Sequence, residues 1–167
     1  HPSFVENALA KARQAARASA GAAIADDSGL CVDALGGAPG VASAHAAGLV
    51  PALADREATR RAQDAANNRW LLQRLQGVTA RSARVVSTLV ALRHAGDPAP
   101  VIAFGRWPAR ILDAPRGDGG FGYDPLVYID AQRMTVAELP PQTKNRLSHR
   151  ALAAQQMRVL MREVWGL

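Results

Sequence analysis

Val85-Val86-Ser87-Thr88-Leu89-Val90-Ala91-Leu92 constrains this chain more than any other stretch. It reads as a strand, Ala95-Gly96-Asp97-Pro98 turns it, and Val101 to Ile111 returns as a partner, so a β-hairpin is expected. Helical signals flank that hairpin. Ser3-Phe4-Val5-Glu6 has the form of a capping box, with Glu6 reaching back to Ser3. Phe4, Val5, Ala8, Leu9, Ala12 and Ala16 then repeat with a helical period, and Gly21 is expected to stop the helix. A second helix is predicted from Asp55 to Leu75, buried best at Leu71, Leu72 and Leu75, and a third from Ser148 to about Val164. Between the first two, Ala22 to Asp26 and Leu30 to Leu35 read as short strands around an Asp-Ser-Gly turn. Gly36-Gly37-Ala38-Pro39-Gly40 reads as a loop. Residues 113–125 read as a glycine-rich loop entering a short strand, Leu126 to Ile129. There is no internal repeat and no low-complexity linker, which points to one α/β domain over residues 1–167.

Composition narrows the function classes. Hydrophobic residues make up 49% of the 167 but aromatics only 5%, so the core is expected to pack small side chains on a few large ones. No apolar run approaches the ~20 residues of a membrane span, and the first residues resemble neither a signal nor a transit peptide. Cys31 is the single cysteine, which excludes an internal disulfide and a cysteine-built zinc site and fits a reducing, cytoplasmic setting. The formal charge of +6 favours anionic partners. Of the 20 basic side chains only Lys11 and Lys144 are lysines. Arg56, Arg60, Arg61, Arg74, Arg81, Arg84, Arg158 and Arg162 are spread without interleaved aromatics and read as solvated faces rather than a nucleic-acid stripe.

Four places could carry chemistry. Asp26-Asp27-Ser28-Gly29 follows an apolar run, and strand alternation sends the two carboxylates to opposite faces. A carboxylate there can hold Mg²⁺ through oxygen or orient a water; ordinary turn chemistry is the alternative. In Gly119-Gly120-Phe121-Gly122-Tyr123-Asp124-Pro125, glycines bracket an aromatic that could stack on a nucleobase or plug its own core. Lys144-Asn145-Arg146-Leu147-Ser148-His149-Arg150 enters the last helix. Its His149 is expected to face inward with Ala153, Leu160 and Val164, and free N–H groups there favour anions. Lys11 sits at the edge of the first helix's buried stripe, where it can snorkel toward a phosphate or simply face solvent.

Taken in order, Phe4-Val5-Glu6-Asn7-Ala8-Leu9-Ala10-Lys11, Ala25-Asp26-Asp27-Ser28-Gly29-Leu30, Val32 to Val41, Gly119 to Pro125 and Ser148-His149-Arg150-Ala151 resemble the inosine triphosphate pyrophosphatase family, the Ham1/RdgB-like enzymes. The resemblance implies an elongated, twisted mixed sheet flanked by helices, in two lobes with the active-site cleft between them. It implies Mg²⁺-dependent hydrolysis of ITP, dITP and XTP to the monophosphate and pyrophosphate, clearing them from the nucleotide pool. It also implies a homodimer, while the scattered arginines and the lack of a long apolar run speak against nucleic acid and membrane as partners. Asp27 would be the catalytic and metal-binding carboxylate, with Asp26 and Ser28 beside it. Lys11 would contact phosphate, and Phe121 would stack on the base, with Gly122 and Tyr123 next to it. Asp124 would fix base or sugar, and Lys144, His149 and Arg150 would surround the base edge. The family's first strand, phosphate loop and a further acidic metal ligand would lie upstream of Ser3, so an N-terminally truncated piece is expected. A catalytically impaired nucleotide-binding fragment and a basic nucleic-acid-binding protein are the alternatives.

Overall fold

A computed structural model describes all 167 residues. The chain runs through helix α1 (Phe4–Ser19), strand β1 (Ala23–Val32), helix α2 (Arg56–Arg74) and strands β2 (Ser82–Leu92), β3 (Val101–Ile111), β4 (Val127–Ile129) and β5 (Met134–Thr135). Helices α3 (Pro141–Leu147) and α4 (His149–Trp165) follow. The five strands form one sheet whose order is the order of the chain. β4 is antiparallel to both neighbours, with Tyr128 opposite Arg110 on one side and Thr135 on the other. The expected hairpin is present as β2 and β3. No helix is long and apolar enough to cross a membrane.

The chain divides into two compact units. One comprises His1–Ser28, Val85–Trp107 and Asn145–Leu167, the other Gly29–Arg84 and Pro108–Lys144. In the first, strand alternation sorts the apolar side chains. Val90 and Leu92 pack with Ala8, Ala12 and Ala16 of α1, whereas Ala91, Val101 and Ala103 pack with Met157 of α4. Three alanines on α1 let the helix lie close to the strands, so the alanine-rich composition yields a core here. The second unit buries Leu30, Val32, Leu71, Leu75, Ile111, Leu126, Val127 and Ile129.

Several local readings need correction. Asp-Ser-Gly is not a turn, because β1 continues through it to Val32. Each polar side chain in the middle of that strand has a partner on its own face, so nothing forces the backbone to bend. In α1, the Ser3 hydroxyl donates to Glu6 Oε2 at 2.6 Å and the Glu6 N–H donates to Ser3 Oγ at 3.3 Å. The helix ends at Ala20, in the left-handed region with φ 50°, before Gly21 is reached. Arg81 is not solvated. Its side chain is 16% exposed, Nη2 donates to the Leu75 carbonyl at 2.9 Å and Nε to that of Val78 at 3.1 Å, and Asp113 pairs with it at 2.6 Å. Leu75 is the C-cap of α2, and a cation is favoured at that end of a helix. Helix α3 was not foreseen; its seven residues carry no apolar period long enough to register.

The glycine-rich loop is anchored rather than loose. Gly119 N–H donates to the Ala137 carbonyl at 3.2 Å, and a Cβ at Gly119 would collide with that same oxygen. Thr135 Oγ1 donates to the Arg116 carbonyl at 2.8 Å, and Arg116 Nη2 lies 2.9 Å from Glu138 Oε2. The Arg116 guanidinium, helped by the Thr135 N–H, holds the Glu138 carboxyl at about 2 instead of 4.5. A folded value below the unfolded one stabilises the fold above the unfolded value, and that contribution fades as pH falls toward about 2. An NMR pH titration is therefore expected to find Glu138 still ionised at a pH where ordinary glutamates are protonated. Arg116→Ala should return it to the usual range.

Candidate active site

In the first unit, α1 and β1 build a carboxylate centre. Asn7 and Lys11 are one helical turn apart and so share a face. Both reach Asp27: Lys11 Nζ lies 2.7 Å from Oδ1, and Asn7 Nδ2 donates to Oδ2 at 3.2 Å. Lys11 also donates to the Asp26 carbonyl at 3.0 Å. The Asp27 side chain is only 15% exposed, whereas that of Lys11 is 54% exposed. Two of the three ammonium protons are thereby committed to the strand, leaving a third to donate elsewhere. Asp26 takes the opposite face, as alternation requires. Its Oδ2 accepts from Ser28 Oγ at 2.9 Å and from Arg150 Nε at 3.4 Å.

Arg150 is delivered by α4. Ser148 caps that helix, accepting from the Ala151 N–H at 3.3 Å, which places His149 and Arg150 in its first turn. His149 is half-buried and Ala153 buried, but Val164 at the far end of the same stripe is 52% exposed, so the inward face does not extend that far. The helix meets the sheet at Gly105, where an added Cβ would run into the His149 carbonyl oxygen and the Ala153 nitrogen. Neither Asn7 nor Gly105 was singled out from the sequence. The spacing of Asn7 from Lys11 was a usable signal; a glycine inside a strand marked a close approach without naming its partner.

In the second unit, a lysine, a carboxylate and an aromatic come together. Asp124 Oδ2 accepts from the Phe121 N–H at 2.9 Å and from Lys144 Nζ at 2.6 Å. The ammonium lies 4.8 Å from the Phe121 ring centroid, within cation–π range. Phe121 as a whole is 48% exposed. Gly120 and Gly122 on either side have φ +75° and +61°, backbone states that suit glycine. At Gly120 a Cβ would also strike the Asp124 carboxylate. Tyr123 faces the interior, its hydroxyl donating to the Ser43 carbonyl at 2.9 Å. Burial, with the Asp64 charge second, pushes its phenol up, so it remains a neutral donor that anchors the loop. Lys144 thus belongs with Phe121 and Asp124, while Arg150 belongs with Asp26.

The fit to Mg²⁺ follows from the donor set. No group of three His, Cys, Asp or Glu side chains converges anywhere in the chain, so no all-protein cage exists. Mg²⁺ usually keeps several waters and takes one or two carboxylates plus substrate phosphates. Asp27 suits that mode: both oxygens are hard donors, and each accepts one hydrogen bond, from Asn7 or Lys11, while retaining a lone pair.

An α/β chain with a cation-paired carboxylate on one strand and a pinned aromatic beside a lysine has the parts of a nucleotide-handling enzyme. The chain belongs to the Ham1 family, whose model matches residues 1–160. It is 67% identical over 165 residues to a dITP/XTP pyrophosphatase of Methylibium petroleiphilum, covering 99% of this chain and 79% of that one. A dITP/XTP pyrophosphatase of Burkholderia pseudomallei is 51% identical over 98% of this chain and 75% of its own. Among solved structures, a HAM1 protein from Coxiella burnetii superposes with a TM-score of 0.87 at 39% identity, covering 98% of this chain and 79% of that one.

Proposed function

We propose that this chain hydrolyses non-canonical purine nucleoside triphosphates, dITP, ITP and XTP, to the monophosphate and pyrophosphate. Family membership over nearly the whole chain carries that reading. In the reaction a water oxygen bonds to the α phosphorus, the bond from that phosphorus to the α–β bridging oxygen breaks, and pyrophosphate departs with the electron pair. Asp27 accepts the proton the water loses, and Lys11 offers its remaining N–H to a phosphate oxygen. Asp27 is the residue that would hold Mg²⁺, which when bound would help neutralise the charge that builds on pyrophosphate.

At the base end, Phe121 offers the stacking face, and Lys144 is held beside it by Asp124. Hypoxanthine and xanthine carry an acceptor at position 6 where adenine carries an amino donor. An ammonium donor suits the former and leaves the latter unsatisfied, which costs about 1–3 kcal/mol per group. Magnesium dependence and a homodimeric state, which rest on the family resemblance, and a cytoplasmic setting, which rests on the single cysteine, complete the proposal. Light scattering on the purified chain tests the dimer, and EDTA followed by Mg²⁺ re-addition tests the metal.

The deciding experiment assays pyrophosphate release from dITP, XTP and dATP in parallel. Preference for the first two is expected; equal turnover of all three, or of none, sinks the reading. Phe121→Ala should mainly weaken binding, by the ~1–3 kcal/mol typical of a base–aromatic stack. A raised KM with kcat retained is the expected signature.

A further inference from the structure

We infer that Asp64 and Asn68 of α2 are positioning residues that hold the Phe121 ring in place for the purine. The inference rests on the nucleotide reading above and names a device within it. Asp64 and Asn68 lie one helical turn apart on a common face. The Gly122 N–H donates to Asp64 Oδ2 at 2.8 Å, and Asn68 Nδ2 donates to the Gly122 carbonyl at 2.9 Å. One side chain accepts and the other donates, so the pair grips both ends of a single residue.

The neighbouring residue is gripped as well. The Phe121 N–H donates to the Asp124 side chain, and the Phe121 carbonyl accepts from the Asp124 N–H at 3.2 Å. All four backbone polar groups of residues 121–122 are therefore held by hydrogen bonds, although the stretch has no regular structure and contains a left-handed glycine. Backbone this fully held removes the main-chain freedom that an aromatic on a glycine loop would otherwise lose on binding. The adjacent face of α2 holds another loop in the same manner. Asn67 Oδ1 accepts from the Ala47 N–H at 3.1 Å, and Gln63 Nε2 donates to the Gly48 carbonyl at 2.7 Å. Tyr123 joins the two loops through Ser43. Helix α2 is thus the frame on which the stacking residue is mounted, with no atom of Asp64 or Asn68 required to touch substrate.

The test uses three variants. Asn68→Asp keeps shape but puts an acceptor against the Gly122 carbonyl and a second carboxylate one turn from Asp64. Asp64→Ala removes the acceptor, whereas Asp64→Asn keeps an oxygen able to take the Gly122 N–H. Asn68→Asp and Asp64→Ala are expected to raise KM for dITP about tenfold, with kcat retained, and Asp64→Asn should recover most of the loss. Inhibition by pyrophosphate, which has no base, should be unchanged in all of them. Equal weakening of dITP and pyrophosphate, a fall in kcat alone, or unchanged kinetics overturns the inference. A readout independent of turnover is amide hydrogen exchange at Gly122, slow in the wild type and fast in Asp64→Ala. Should the wild type turn over no dITP, the functional reading fails, and the clamp is then judged by that exchange: no acceleration in Asp64→Ala overturns it too.

Discussion

Replacing Asp27 with asparagine is expected to lower dITP turnover by roughly 10²–10⁴-fold, the range for loss of a positioned proton acceptor. Asparagine has the same shape and keeps an oxygen for Lys11, so the geometry of α1 against β1 should survive. It lacks the charge that binds a cation and the basicity that takes a proton. The fold should scarcely register the change. Lys11 is about half exposed, and ion pairs with one solvated partner are worth ~0–1 kcal/mol. Circular dichroism melts run alongside the pyrophosphate assay separate the outcomes. Wild-type turnover would remove Asp27 from the chemistry, and a collapsed melt would make its role structural.

Gly105→Ala should do the reverse, striking the fold first and activity through it. The new methyl would enter the first turn of α4, against the His149 carbonyl and the Ala153 nitrogen, which are backbone atoms with nowhere to rotate. Overpacking of this kind costs ~1–3 kcal/mol. For a chain of this size each kcal/mol lowers Tm by roughly 2–4 °C. Moving that turn also moves His149 and Arg150, so KM should rise in the same variant. Gly96→Ala is the control, because a Cβ there meets only the His94 side chain at ordinary van der Waals distance. An unchanged Tm and KM in Gly105→Ala would show that α4 can shift without consequence.

The local geometry around the two aspartates was legible in the sequence. Alternation along one strand placed Asp26 and Asp27 on opposite faces, and the structure finds them there, one with Ser28 and Arg150 and the other with Lys11 and Asn7. Both lysines of an arginine-rich chain sit on carboxylates, Lys11 on Asp27 and Lys144 on Asp124. Less legible was what a polar side chain does when its partner is remote. Tyr123 stands beside Phe121 in the same motif, yet it turns inward to Ser43, 80 positions away. Arg81 read as one more solvated arginine until the end of α2 and Asp113 closed around it.

Caps, strand alternation, the β2–β3 hairpin and the ordered motifs were determined by the sequence itself, because each depends on residues a few positions apart. Only the tertiary structure decided that β1 runs straight through Asp-Ser-Gly, that α4 rests on Gly105, and that Asp64 and Asn68 reach Gly122 across 58 and 54 positions. The physical reason is common to all three. Local pattern reports which face of an element is apolar, whereas a hydrogen bond or a close backbone approach between distant segments exists only after packing has brought them together.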